Sequence, residues 1–280
     1  MRKITGTTGL YGVVADPIKH SLSPAMHNAA FEALDMDDVY LAFEVPADKL
    51  DDYMKGVRAM PVKGFNVSMP YKTTMVQYMD ELTEAAKIAG AVNTVRNDNG
   101  HLTGHITDGF GFVMACEARG WDVKGMTITV MGAGGAANAI IGALALAGAA
   151  RLIVVNRTDR PALHEMAAKC PCPVDIRPLT RDALTQAISE SGLLVNGTSV
   201  GMDPHPEGCL IESADMLKDG LKVADIIYQP RETKLLSYAR ERGLDYMNGE
   251  DMILYQGACS FEFWTGGKMP LDKVRKELGR

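Results

Sequence analysis

Two groups of residues in this chain have the types and spacing to do chemistry. The first is a set of polar side chains set into apolar segments of the first third. Ser21 and Ser23 flank Leu22 just before a helical pattern, and Asn66, Ser68 and Lys72 interrupt an otherwise apolar segment and its exit. Asn93 stands inside Ala91-Val-Asn-Thr-Val95, and Thr107-Asp-Gly109 precedes the glycine-rich middle of the chain. Each has a plain structural reading. Ser23 is placed to cap a helix whose first residue is Pro24. Asn93 can satisfy a turn, Asp108 can cap a helix beginning near Phe110, and a lysine such as Lys72 usually lies in solvent.

The second group is Gly132-Ala-Gly-Gly-Ala-Ala137, which follows the β-like run Thr127–Met131 and opens an alanine-rich helical run. That context makes it a candidate dinucleotide site. Gly132 permits a tight turn, Gly134 lets backbone approach a pyrophosphate, and Ala137 packs helix against strand. The helix N-terminus offers free N–H groups and a positive dipole end. Ala133, Gly135 and Ala136 complete the loop. Cofactor choice is expected just after the next strand, in Asn156-Arg-Thr-Asp-Arg160. Arg157 and Thr158 suit the 2′-phosphate of NADP, whereas Asp159 suits the free ribose hydroxyl of NAD. The cofactor is therefore NADP or NAD, with both admitted.

The elements needed to hold these groups follow from periodicity. Strands are expected at Tyr11–Ala15, Tyr40–Val45 and Lys63–Met69, and helices from Ser23 and over Ala47–Ala59. Ala91–Val95 and a turn at Asn97–Gly100 suggest a hairpin. Thr127–Met131, Ala136–Ala147 and Arg151–Val155 form a βαβ unit, and later strands are expected at 193–195 and 223–227. A last helix over 251–264 carries Met252, Tyr255, Cys259 and Phe263 on one stripe.

A chain of 280 residues favours two domains. The net charge of −6 gives no support for nucleic acid binding. Ala139–Ala150, the longest apolar stretch, is too short to span a bilayer, and Met1-Arg-Lys-Ile4 leads into polar residues rather than a signal-peptide core. A cytoplasmic location is expected, without membrane or nucleic acid partners, as a monomer or homodimer. The five cysteines are irregularly spaced, and Cys170-Pro-Cys172 lacks a second pair or a nearby histidine, so no metal site is expected.

Taken together, the polar residues fall into blocks. Lys19-His-Ser-Leu-Ser-Pro24, Phe65-Asn-Val-Ser-Met-Pro-Tyr-Lys72, Gly90-Ala-Val-Asn-Thr94 and Thr107-Asp-Gly109 resemble shikimate dehydrogenase motifs, in that family's order. So do Val130–Ala136, Asn196-Gly-Thr198 with Gly201-Met202, Tyr228-Gln-Pro230 and Tyr255-Gln-Gly257. The resemblance covers nearly the whole chain. It implies an α/β fold of two domains with a cleft between them. An α/β substrate domain would comprise residues 1–107, completed by helices from 248 to 280. A Rossmann-type NAD(P)-binding domain would occupy 108–247.

The resemblance further implies Lys72 and Asp108 as the acid/base pair. It carries Ser21 and Ser23 to a substrate carboxylate with Tyr228 nearby, and Ser68, Asn93 and Gln256 to ring hydroxyls. Gly249 joins the cofactor residues. Neutral hydrogen-bonding groups suit a polyol whose recognition depends on pairing every hydroxyl. The implied activity is reversible NAD(P)-linked reduction of 3-dehydroshikimate to shikimate. Ser68-Met-Pro, Tyr40–Val45 and Asp159 look more like the quinate/shikimate branch, which adds Tyr40 as a ring contact and quinate as an alternative substrate. Ile106 stands where the family usually has Asn. This departure leaves open a rival of another class, a non-catalytic nucleotide- or metabolite-binding protein.

Overall fold

The computed structural model describes residues 4–19 and 21–279. His20, in the Lys19–Pro24 block, and Met1 to Lys3 lie outside them. In chain order the elements begin with β1 (Gly9–Ala15), α1 (Ser23–Ala33), β2 (Asp38–Glu44), α2 (Leu50–Ala59) and β3 (Val62–Val67). Next come β4 (Glu81–Leu82), α3 (Glu84–Ala89), β5 (Thr94–Asp98), β6 (His101–His105) and α4 (Asp108–Ala118). β7 (Thr127–Met131), α5 (Gly135–Leu146), β8 (Arg151–Asn156), α6 (Pro161–Lys169), β9 (Val174–Pro178) and α7 (Arg181–Glu190) follow. The chain ends with β10 (Leu193–Asn196), β11 (Lys222–Asp225), α8 (Lys234–Glu241), β12 (Tyr246–Met247), α9 (Glu250–Thr265) and α10 (Leu271–Glu277).

The chain forms two compact units. One holds the residues up to Thr107 and those from Gln256 onward, and the other runs from Asp108 to Tyr255. The first is built on a mixed sheet in the order β2-β1-β3-β5-β6-β4. β1 lies parallel to β2 and β3, while β5 runs antiparallel to β3 and β6. Asp98 pairs with His101, so Asn99-Gly100 is a two-residue hairpin loop. Both residues have positive φ, 55° and 94°, as a type I′ turn demands. The expected strand at 91–95 therefore begins only at Thr94, and Asn93 precedes it.

α9 docks on this sheet through aromatic side chains. Tyr11 meets Phe31 and Trp264 at 5.2 Å between ring centroids, and Phe31 meets Phe261 at 5.6 Å. Trp264 Nε1 donates to the Val95 carbonyl at 2.9 Å. A Cβ on Gly64 would stand 2.6 Å from that indole nitrogen, so the bare strand position admits the ring. The buried apolar side chains on α9 are Leu254, Tyr255, Ala258 and Phe261. Met252, Cys259 and Phe263, expected on one stripe with Tyr255, are only half-buried.

α1 corrects another expectation. Ser23 is the first helical residue, Leu22 occupies the cap position, and no side chain caps the helix. The Ser23 N–H instead donates to Ser21 Oγ at 3.3 Å. Pro24 cannot supply an N–H, which leaves the first turn one donor fewer to satisfy.

The second unit is an all-parallel sheet in the order β12-β11-β10-β7-β8-β9. Numbered within the unit this is 3-2-1-4-5-6, the doubly wound order whose direction reverses between its first and fourth strands. Those strands are β7 and β10, nearly wholly buried and apolar, as strands covered on both faces must be. One face packs Ile153, Val155, Leu194 and Val223 against Leu184, Ile188 and Leu236. The strand expected over 223–227 stops at Asp225, whose carboxylate turns back to accept from the Ile227 N–H at 3.0 Å. No helix among the described residues is long and apolar enough to cross a membrane.

Candidate active site

In the first unit a chain of buried polar side chains runs through the space between β3, β5 and α9. The Tyr40 hydroxyl donates to Asn66 Oδ1 at 2.7 Å. Asn66 Nδ2 donates to the Asn93 carbonyl at 3.0 Å, Thr94 Oγ1 at 3.0 Å and Ser260 Oγ at 2.9 Å. Asn93 Oδ1 accepts from the Thr107 N–H at 2.8 Å and from the Thr94 hydroxyl at 2.9 Å. A backbone N–H can only donate, so this contact fixes which end of the Asn93 amide is oxygen. Its Nδ2 lies beside the same threonine and donates to Thr107 Oγ1 at 3.0 Å. Thr107 Oγ1 also lies 3.5 Å from Gln256 Oε1.

Asn66, Asn93, Thr94, Thr107 and Ser260 are all buried. Every such group left without a partner would cost about 1–3 kcal/mol, so the network is closed around the amides. Tyr40 is 1% exposed, and burial holds its hydroxyl well above the ordinary phenol pKa. The His27 ring stacks on Tyr40 at 4.5 Å between centroids. Burial drives the His27 pKa down to about 3, so this imidazole is neutral at pH 7.

Lys72 is placed by the same frame. The Val92 N–H donates to the Lys72 carbonyl at 2.8 Å, which ties the exit of β3 to the residue before Asn93. Ser68 starts that exit: its N–H donates to Val14 and its carbonyl accepts from Tyr71. Ser68 and Lys72 are both half-buried. Asp108 follows Thr107 directly in the chain and begins α4 in the second unit. Ile106, the residue that departs from the family pattern, is buried at 2% exposure.

In the second unit the glycine turn leaves β7 at the reversal of strand order. Gly132 has φ of 99°, and a Cβ there would come within 2.6 Å of Thr198 Cγ2. Gly134, at the cap of α5, and Gly135 face open space, and no side chain caps the helix. The start of α5 thus presents backbone N–H groups that no side chain caps, and it fits a dinucleotide pyrophosphate.

Thr198 is itself positioned from below. Asn196 Oδ1 accepts from the Thr198 N–H at 3.1 Å, and Asn196 Nδ2 donates to Asp225 Oδ1 at 3.0 Å. Thr233 donates to the other Asp225 oxygen at 2.7 Å. Burial raises the Asp225 pKa, while these hydrogen bonds pull it back. Tyr228 is 44% exposed on the loop after β11. Gly249 accepts no side chain, because a Cβ would collide with the Ile226 carbonyl.

At the end of β8, Asn156 Nδ2 donates to the Thr158 carbonyl at 2.7 Å. Arg157, Thr158 and Asp159 are exposed. Asp159 Oδ1 lies 2.6 Å from His164 Nε2, a partner the sequence reading did not assign. That reading also passed over Thr94 and Ser260 and gave Asn66 no role. Ser260 sits four residues beyond Gln256 on α9, so helical spacing alone places the two on one face.

A doubly wound sheet with a bare glycine turn at its reversal point in the second unit, and a pinned amide–hydroxyl network in the first, define a two-domain nucleotide-dependent oxidoreductase. Residues 13–95 match the shikimate dehydrogenase substrate binding domain, and residues 249–278 match the shikimate 5′-dehydrogenase C-terminal domain. A shikimate dehydrogenase (NADP(+)) of Listeria monocytogenes serotype 4b is 45% identical over 99% of this chain and 97% of its own length. The crystal structure of shikimate 5-dehydrogenase from Listeria monocytogenes, in complex with shikimate and NAD, superposes with a TM-score of 0.94. It covers 99% of both chains at 45% identity. Quinate dehydrogenase from Corynebacterium glutamicum, in complex with NAD, gives 0.85 at 29% identity over 97% of this chain and 98% of its own. The chain belongs to the shikimate dehydrogenase family.

Proposed function

We propose that this protein is an NAD(P)-dependent dehydrogenase that reversibly reduces 3-dehydroshikimate to shikimate. The observation that carries the reading is the pinned Asn93 amide, in a chain 45% identical over its length to a shikimate dehydrogenase. Thr107 and Thr94 hold its oxygen and so fix the orientation in which its amide nitrogen is presented.

The residue roles are those that the family resemblance implies. When bound at the Gly132–Ala136 turn and the Asn156–Asp159 segment, the nicotinamide nucleotide supplies or accepts the hydride at the ring carbon. Lys72 delivers a proton to the carbonyl oxygen on reduction and takes it from the hydroxyl on oxidation. Asp108 orients the ammonium of Lys72 and the reacting hydroxyl. Ser21, Ser23 and Tyr228 bind the carboxylate, while Ser68, Asn93 and Gln256 bind the remaining ring hydroxyls. Tyr40 acts on the ring through Asn66, to which its hydroxyl proton is committed. Gly249 keeps the chain tight against the end of β11 at the cofactor side. Arg157 and Thr158 receive the 2′-phosphate of NADP, and Asp159, held by His164, accommodates the free ribose hydroxyl of NAD.

Steady-state assays with shikimate and quinate, each with NADP and NAD, test this. Shikimate is expected to turn over with a higher kcat/KM than quinate. A higher value for quinate would reassign the substrate. Binding of ring acid and nucleotide without absorbance change in any combination would make the protein a sensor rather than an enzyme.

A further inference from the structure

Ser260 is fully buried, yet it is a polar residue on the face of α9 that packs on the sheet. Its hydroxyl stands at the meeting point of four segments. It accepts from Asn66 Nδ2 at 2.9 Å and lies 2.8 Å from Thr94 Oγ1 and 3.2 Å from Thr107 Oγ1. The Gln256 carbonyl one turn back, at 3.0 Å, and Thr94 Oγ1 are both acceptors within reach of its single proton. A serine needing only local satisfaction in a helix would require no more than the Gln256 bond. The other contacts reach β3, β5 and the segment leading out of β6.

Proton counting shows what the hydroxyl controls. Thr94 commits its one proton to Asn93 Oδ1, so its oxygen is left to accept from Ser260 or Asn66. Thr107 places both its backbone N–H and its hydroxyl on the same Asn93 oxygen. Ser260 touches both threonines that hold the Asn93 amide, and it shares a helical turn with Gln256.

We infer that Ser260 is a positioning residue for the substrate: it locks the two threonines that set the Asn93 amide and holds Gln256 in register with it. This rests on the proposed ring-acid dehydrogenase reading. The hydrogen bonds of Ser260 run to residues that frame the ring acid, so its effect falls on ring binding in ground and transition states alike. Such uniform binding appears in KM and leaves kcat in place.

The test compares the wild type with Ser260→Ala and Ser260→Cys by steady-state kinetics, calorimetric binding of shikimate and thermal unfolding. Ser260→Ala is expected to raise the KM and Kd for shikimate three- to tenfold, with kcat and the KM for NADP within twofold. Ser260→Cys, which keeps the volume and a weak donor, should fall between. A lowered Tm with shikimate KM and Kd unchanged would reduce Ser260 to a packing residue and overturn the inference. Should the alanine variant fail to fold, the cysteine variant decides by the same criterion. Failure of the wild type to bind or turn over shikimate would sink the substrate reading instead.

Discussion

At the scale of single residues, the chemistry comes down to one proton. Carbonyl reduction needs a donor within hydrogen-bond reach of the oxygen, and a positioned acid/base typically contributes 10²–10⁴-fold. Lys72 is the proposed donor, and its main chain is bonded to Val92, next to the pinned Asn93. Lys72→Ala should therefore lower kcat for shikimate by about 10²–10⁴ while changing the KM for shikimate several-fold at most. Pre-steady-state and steady-state measurements over pH 6–10 would check this, and a variant with wild-type kcat would remove Lys72 from the mechanism. The lysine stood out in the sequence as a polar residue at the exit of a buried strand. Ser260 did not, because a lone serine in an apolar helix carries no local signal of the strands it will reach. Its role depends on Asn66 and Thr94, which lie more than 160 residues earlier and meet it only after α9 docks.

At the scale of elements, the nucleotide site depends on how two loops share the gap between β7 and β10. Gly132 has a φ of 99° and faces Thr198, while Gly197 packs on Ala137 at the start of α5. An added methyl at either glycine must push one loop away from the other. Gly132→Ala combines that clash with a backbone region L-residues avoid, a strain of order 1–3 kcal/mol. Its expected signature is a lowered Tm and a KM for the nucleotide raised tenfold or more, with calorimetric binding of shikimate unchanged. Equal nucleotide affinity in the variant would show that the turn tolerates a side chain.

This βαβ unit was plain in the sequence, because a β run, a glycine turn and an alanine-rich helix have short-range signatures. The cap of α1 was not. Ser23 has the right residue type, but Ser21 takes the N–H and the helix starts one residue earlier. The stripe on α9 was also misread, since burial there is decided by Tyr11 and Gly64 from the sheet and Phe31 from α1 rather than by the helix's own period.

At the scale of the whole molecule, two desolvated histidines, one buried and one half-buried, make stability depend on pH. Burial lowers the His27 pKa to about 3 and the His105 pKa to about 4. His105 is held by Thr83 at 2.8 Å and stacks on Phe263. In the unfolded chain both titrate near the ordinary value of about 6.5. Between these values the unfolded state binds more protons, so stability is fully present above pH 6.5 and falls as pH drops toward the folded values. Each histidine contributes a slope of up to about 1.4 kcal/mol per pH unit in that window. Asp225, whose pKa is raised on folding, acts in the opposite sense at the acid end.

Urea unfolding at pH 7.5, 6.0 and 5.0 should show a steady loss of stability. His27→Phe keeps a flat ring against Tyr40 and Trp264 but cannot titrate, so its stability should fall less steeply over the same range. Parallel curves for the variant and the wild type would mean that His27 reaches protons in the folded state and that burial does not hold it neutral. A shallower curve would show that the neutral imidazole on Tyr40 carries an acid-labile part of the first unit's stability, on the residue that feeds the Asn66 network.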